Sequence, residues 1–174
     1  YVIYLNTYDR EYDERGTIDS YESNVIGAKY IFSNNLNDQI SFGFGSEYKY
    51  DWGYFDNKGS YQASTRGHSD NLAIYGNLGW NVAENFNISL FTRNDNHKQT
   101  SSNSTYKVNL NKKFNKFNIG TSYMNGLRNP TLYEMFGTDN FGYSGNRNLK
   151  PEKSNTYEIY SNLILNKNAN ISVR

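Results

Sequence analysis

Few side chains in this sequence are grouped in a way that could do chemistry. The acidic run Asp9, Glu11, Asp13 and Glu14 could chelate a hard cation such as calcium through carboxylate oxygens. It lacks the Asp-x-Asn/Asp-x-Asn/Asp-Gly order of a dedicated calcium loop and reads first as a solvated loop. The two histidines, His68 and His97, fall in separate segments with no H-x-x-x-H spacing and no cysteine nearby. They are expected to be exposed loop residues, and no metal site is expected. Serines are plentiful, but none stands in a Gly-x-Ser-x-Gly elbow. The carboxylates Asp51 and Asp56 have no context that would make them a glycosidase pair. No phosphate-cradling Gly-x-x-x-x-Gly-Lys-Ser/Thr loop occurs, and Gly43 and Gly45 read as small residues on a strand face. Nothing here predicts an enzyme or a bound cofactor. The aromatic residues outside the clearest strands are more suggestive. Trp52, Tyr54, Phe55 and Tyr61 fall in one expected loop, and Phe136, Phe141 and Tyr143 in another. Rings among polar groups make ligand surfaces. Trp52, Tyr54, Phe55, Phe136, Phe141 and Tyr143 are the candidate ligand-binding residues, with loop-to-loop packing as the alternative.

The elements that would carry these residues are strands. Period-2 alternation and turn signals predict strands near 1–9, 19–32, 38–51, 70–82, 86–94, 104–113, 117–124, 154–165 and 169–174. In 38–51, Ile40, Phe42, Phe44, Tyr48 and Tyr50 share one face. Ser41, Gly43, Gly45, Glu47, Lys49 and Asp51 share the other. Short connections at 33–37, 83–85, 115–116 and 166–168 alternate with longer ones at 10–18, 52–69, 95–103 and 125–153. Outer-membrane barrels show this rhythm of tight turns on one side and long loops on the other. Both prolines, Pro130 and Pro151, fall in the longest connection, outside the ladders they would interrupt.

Composition agrees. The chain has 174 residues, a net charge of +1 and no cysteine. That balance speaks against a nucleic-acid binder, and the lack of cysteine excludes disulfides and thiolate metal sites. Mean hydropathy is -0.86, and no window of about 18 apolar residues exists for a transmembrane helix. A barrel strand escapes that test, because only alternate residues face lipid. Aromatic residues make up 17%, including 17 tyrosines. They gather in two sets at opposite strand ends, as two membrane interfaces would select. Tyr48, Tyr50, Trp52, Tyr106, Tyr123 and Tyr157 lie toward the long loops; Tyr30, Phe32, Trp80, Phe86 and Phe117 lie toward the short turns. The apolar face is nearly free of charge, except for Lys112 at a strand end where its stem can snorkel. The polar face carries Lys29, Glu47, Lys49, Arg93, Lys107 and Glu158. The predicted fold is all-β: about nine strands of a large antiparallel up-and-down transmembrane β-barrel. The rival is a soluble β-sandwich, such as a carbohydrate-binding or adhesion module.

The stretch Leu127-Arg128-Asn129-Pro130-Thr131-Leu132-Tyr133-Glu134-Met135-Phe136-Gly137 is followed by Gly145-Asn146-Arg147-Asn148-Leu149-Lys150-Pro151-Glu152-Lys153-Ser154. It resembles the barrel signature of TonB-dependent outer-membrane receptors, "Phe-Arg-Ala-Pro-Thr-Leu-x-Glu-Leu-Tyr" and then "Gly-Asn-Pro-x-Leu-x-Pro-Glu-x-Ser". Arg128, Pro130, Leu132, Glu134, Gly145, Asn146, Leu149, Pro151, Glu152 and Ser154 match. Leu127, Asn129 and Arg147 depart from it. The motif has a local logic: Gly145 and Asn146 suit a turn, and Pro151 keeps the chain extended before the strand. The resemblance implies a barrel of about 22 strands with a plugged lumen, in the bacterial outer membrane, in contact with its lipid. It implies as partners a plug domain of the same protein, the TonB complex, and cobalamin or a ferric siderophore as cargo. No plug, TonB box or aromatic-ended closing strand is recognised in residues 1–174, so the chain reads as a partial barrel domain whose two edges are open to association. A passive porin-like channel is the alternative function; a barrel enzyme would need a nucleophile beside a histidine.

Overall fold

The computed structural model describes residues 1–14, 16–59, 61–166 and 169–174. They form one nine-stranded antiparallel sheet in sequence order. The strands are β1 (Val2–Glu14), β2 (Thr17–Asn35), β3 (Ile40–Asn57), β4 (Ala63–Ala83), β5 (Phe86–His97), β6 (Ser101–Lys113), β7 (Phe117–Arg128), β8 (Glu152–Asn166) and β9 (Ala169–Val173). One single-turn helix, α1 (Leu132–Phe136), lies between β7 and β8. All nine strands occur where alternation predicts them, and the all-β, up-and-down barrel-wall fold is the observed one.

The strand lengths correct the sequence reading. The connections expected at 10–18, 52–69 and 95–103 are mostly strand, leaving short hairpins. Alternation fades there because the apolar positions give way to Asp, His and Ser. Backbone pairing continues regardless, since ladder hydrogen bonds do not depend on side-chain polarity. Trp52, Tyr54 and Phe55 are therefore strand residues of β3, not loop residues. The acidic run lies on β1, where Asp9, Glu11 and Asp13 alternate onto one face; the Glu14 side chain lies outside the described residues. Arg15, Ser60 and residues 167–168 of the expected connections also lie outside them. Only the connection from Asn129 to Pro151 remains long, and it contains both prolines.

The ladder register fixes two faces. Lys29 pairs with Glu47, Arg93 with Tyr75, Lys107 with Met124 and Glu158 with Ser122, so the predicted charges share one polar face. Large rings on this face lie flat over glycines of the neighbouring strand. A Cβ on Gly27 would meet the Tyr4 ring at 2.3 Å, on Gly45 the Tyr75 ring at 2.5 Å, and on Gly120 the Tyr160 ring at 2.2 Å. Each tyrosine is the direct cross-strand partner of its glycine.

Among the described residues nothing covers the opposite face. Ile74 is 63% exposed, Ile159 71% and Tyr157 77%, whereas the buried apolar side chains are Phe55, Ala73, Leu132 and Met135. Soluble proteins rarely leave apolar patches beyond about 300–600 Å² bare, so this face calls for a lipid environment. Its aromatic rows are in contact: Phe32–Phe44 ring centroids lie 5.1 Å apart at the short-turn end, and Tyr123–Tyr157 4.7 Å apart toward the other. Lys112 sits beside Phe114 at the turn end, its ammonium 5.6 Å from the ring.

Candidate functional site

The site is built from the Asn129–Pro151 connection and the polar face beneath it. Strand β7 ends at Arg128 because Pro130 cannot donate to a ladder. Thr131 then caps α1: its hydroxyl accepts from Glu134 N at 3.1 Å, and the Glu134 carboxylate accepts from Thr131 N at 2.8 Å. This capping box is visible in the sequence as Thr-x-x-Glu, yet the helix was not among the predicted elements. Arg128 joins the two halves of the motif. Its guanidinium donates to both Glu134 oxygens at 3.1 and 2.9 Å and to both Glu152 oxygens at 3.0 and 2.6 Å. That fork and the Thr131 N–H hold the Glu134 carboxyl down to about 2.

The second half closes on the first. Gly145 N donates to Gly137 O at 2.8 Å and Asn146 N to Glu134 O at 2.9 Å. A Cβ on Gly145 would sit 2.5 Å from the Met135–Phe136 backbone, so only glycine allows this approach. The Asn146 side chain accepts from Asn148 N at 2.9 Å, shaping the turn that leads past Leu149 and Pro151 into β8. Ser154 faces Gly126 across the β7–β8 ladder. The signature residues are thus a mutual staple.

The stapled unit does not stay beside its own strands. It crosses the polar face and docks on β3 and β4. Leu132 and Met135 bury against Phe55, and the Phe136 ring lies on Gly67, whose Cβ would be 2.2 Å from it. Thr65 Oγ1 donates to Phe136 O, and Asn57 Nδ2 donates to Asp139 O and, at 3.0 Å, to Tyr61 O. Tyr133 sits edge-on to Tyr21 at 5.4 Å and stacks on Tyr143 at 5.1 Å.

Between the unit and the wall lies a chamber of about 540 Å³. Its aromatic side includes Tyr21, Phe55 and Tyr133; its polar side includes Lys49, Asp51, Asn71 and His97. Lys49 pairs with Asp51 at 2.9 Å. Asp51 Oδ1 and Asn71 Oδ1 are shielded from water without a partner among the described residues, so the chamber presents acceptors to an incoming donor. Next to it, Arg93 forms a bidentate pair with Asp95 at 2.8 Å and reaches Glu47 at 2.9 Å. Tyr4 OH also donates to Glu47, at 3.3 Å.

The histidines correct another expectation. Neither is in a loop: His68 is on β4, and His97 ends β5, buried, with Nε2 2.8 Å from Ser69 Oγ. This is the serine–histidine contact that a nucleophile would need. However, His97 Nδ1 accepts a 3.3 Å bond from Gln99 N. A neutral ring then carries its proton on Nε2 and donates to Ser69 instead of receiving its proton. Among the described residues no group of three or more His, Asp or Glu side chains could hold a metal.

The predicted ligand-binding residues divide between two faces. Phe55 points to the polar face and is buried under α1. Trp52 and Tyr54 point to the apolar face, so they cannot join Phe55 in one site. Phe136 docks the unit, while Phe141 and Tyr143 are exposed on its tip. There Asp139 Oδ1 accepts from both of their backbone N–H groups at 2.9 Å.

The family model for the TonB dependent receptor-like β-barrel matches residues 2–173. The chain belongs to this family. Its barrels sit in bacterial outer membranes, and it is a family of receptors and transporters, not of enzymes. Two solved structures have the same fold. The siderophore receptor PirA from Pseudomonas aeruginosa is 14% identical, with a TM-score of 0.68 over 88% of this chain and 30% of that one. The siderophore receptor PirA from Acinetobacter baumannii is 18% identical, with a TM-score of 0.70 over 89% of this chain and 26% of that one. The receptor-barrel chain thus spans less than a third of either structure. Among curated proteins compared by sequence, none matches.

Proposed function

We propose that this receptor-barrel chain forms part of the wall of an outer-membrane receptor for a scarce, chelated nutrient. Energy delivered by the TonB complex moves the cargo past a plug domain of the same protein. A ferric siderophore is the favoured cargo and cobalamin the next, because both structural relatives are described as siderophore receptors. The observation that carries the reading is the stapled connection folded back over β3 and β4. It encloses a chamber of about 540 Å³, within the range of small-molecule sites. Cargo contact is assigned to Phe141 and Tyr143 on the tip and to Tyr21 and Tyr133 at the chamber. Asp51 and Asn71 accept hydrogen bonds from cargo or plug.

The test is uptake by cells expressing the full-length gene, offered labelled ferric siderophore and labelled cobalamin separately, with and without functional TonB. TonB-dependent accumulation of either one supports the receptor. Passage indifferent to TonB would replace it with a passive channel. Within an active receptor, Phe141→Ala with Tyr143→Ala should weaken uptake at unchanged surface abundance.

A further inference from the structure

The wall is not continuous between β6 and β7. Their ladder stops at Lys107 and Met124, although β6 stays paired with β5 up to Ser101 and β7 with β8 up to Arg128. At the parting point the Asn125 side chain replaces the ladder. Its Oδ1 accepts from Tyr106 N at 2.6 Å, and its Nδ2 donates to Ser104 O at 3.1 Å. Beyond Asn125 the two edges separate. Backbone groups of a strand point alternately to its two neighbours. Tyr106 N and Ser104 O face β7, so the N–H and C=O of Ser102 and the N–H of Ser104 do too. On β7, Phe117 bonds towards β6 through Phe114, so Asn125 and Leu127 present their backbone to the same gap. The ladder gives none of these groups a partner. Open edges of this kind are templates for an added strand.

The gap has volume and charge. A cleft of about 140 Å³ between Ser104, Asn125 and Leu127 continues into a cavity of about 480 Å³, and the two share Asn103 and Lys153. The larger part is lined by Arg147, Lys150 and Lys153, all exposed. None of the three makes an ion pair among the described residues. Arg147 lies 5.0 Å over the Phe136 ring. The carboxylates nearby are occupied. Glu152 has both oxygens taken by Arg128 at 3.0 and 2.6 Å, and Asp70 has Lys98 at 3.6 Å. The acidic residues of β1 and β2 lie toward the far edge of the sheet. The contacting row Tyr106, Tyr123 and Tyr157 marks the membrane interface below, so the slot opens to water and not to lipid. Thr100 Oγ1, bonded to Asn129 at 3.0 Å, stands between the slot and the chamber.

We propose that the slot binds an extended acidic segment of another protein. The segment's backbone adds to β6 at Ser102 and Ser104, and its carboxylates meet Lys150, Lys153 and Arg147. This binding uses the barrel wall alone and does not depend on any cargo. The test is fluorescence polarisation with purified full-length protein in detergent and a fluorescein-labelled peptide of alternating threonine and glutamate. Wild type should bind it, and Lys150→Gln with Lys153→Gln should weaken binding about tenfold. The same peptide with every backbone nitrogen methylated should lose binding, because it cannot donate to the strand edge. Ser104→Pro removes a slot-facing N–H and no ladder bond, and it should also lose binding. Heat-modifiable gel migration checks that each variant still forms the barrel. Wild type that fails to bind the peptide would overturn the proposal. So would unchanged binding in the double lysine variant, or a glutamine peptide that binds as well as the glutamate one. Equal affinity for the methylated peptide, or displacement by inorganic pyrophosphate at equal concentration, would leave only a charge contact and overturn it too. Self-association that the lysine variant abolishes, with no peptide bound by wild type, would assign the slot to a second copy instead.

Discussion

Two arginines, Arg93 and Arg128, each hold two carboxylates, yet they do different work. Arg93 lies flat against the polar face, bridging Glu47 on β3 and Asp95 on β5 across the fully buried Ala73. Its side chain is 25% exposed and its partners 20% and 12%. The strands that it joins are already registered by their ladders. Arg128 is 51% exposed, with Glu152 at 69%. It closes a connection that no ladder holds, tying α1 to the start of β8. The chemistry is shared; burial and surrounding constraint differ. In the wall the arginine neutralises charges that would be costly if left alone. At the connection it selects one conformation among many that a solvated chain could take. Charge pairs near the surface contribute little to global stability, but one placed at a hinge can still govern local order.

The largest difference is expected at Arg93. Arg93→Leu leaves Glu47 and Asp95 facing one another, half-buried and uncompensated. Breaking such a pair costs about 3–5 kcal/mol. Urea unfolding of the full-length receptor in detergent should show a clearly lower midpoint. Removing all three charges with Arg93→Leu, Glu47→Gln and Asp95→Asn should recover much of it. A single variant as stable as wild type would mean that water reaches this pair freely.

Gly145 tests the other side of the contrast without touching a charge. A Cβ there meets backbone at 2.5 Å, which cannot yield as a flexible side-chain end can. Gly145→Ala should cost the docked connection about 1–3 kcal/mol, which is roughly a 5- to 150-fold change in its population. Global unfolding should stay near wild type, because β1–β9 do not depend on the staple. Limited proteolysis between residues 137 and 145 should accelerate. Proteolysis unchanged from wild type would mean that the connection is held by its contacts with β3 and β4 alone.

The sequence exposes the wall better than the connection, for a physical reason. A strand repeats its instruction every second residue, so Ile40–Tyr50 declares both its faces. The same strand becomes illegible past Trp52, where side chains no longer alternate in polarity although the ladder runs to Asn57. That loss of signal turned Trp52, Tyr54 and Phe55 into apparent loop neighbours, when successive strand positions face opposite ways. The staple is partly legible. Thr131 and Glu134 state a capping box, and the Gly145–Ser154 run matches a known signature. Its docking site is not. Asn57 meets Asp139 across 82 positions, and Thr65 meets Phe136 across 71. Those contacts depend on the shape of Gly67 and Phe55 in a wall already formed. No local pattern encodes them. The Ser69–His97 contact is illegible for the same reason: it joins two strands at positions where alternation predicts loops.

Smaller effects are expected at Arg128, where exposure limits the energy. Arg128→Ala should leave the global unfolding midpoint close to wild type while loosening the connection, measured as faster amide exchange at Met135 and Phe136. Raising salt should weaken wild type toward the variant, as screening predicts for exposed charges. By contrast, salt should barely affect the Arg93 pair.

The smallest and most specific effect is on pH. Glu134 has its carboxyl depressed from 4.5 to about 2 in the folded connection, first by Arg128 and then by the Thr131 N–H. A depressed carboxyl contributes stability that is fully present above its unfolded value and is lost as pH falls through its folded value. The connection should therefore keep its protection from exchange down to about pH 4.5, and lose it progressively between there and about pH 2. Glu134→Gln removes the titrating charge but keeps a side-chain acceptor for Thr131 N. It should start with weaker protection at neutral pH and change much less across that window. If wild type and Glu134→Gln lose protection in parallel as acid is added, the acid sensitivity arises from Glu152 or from the wall. The Glu134 arm of the Arg128 fork would then be secondary to the Gly145 and Asn146 backbone bonds.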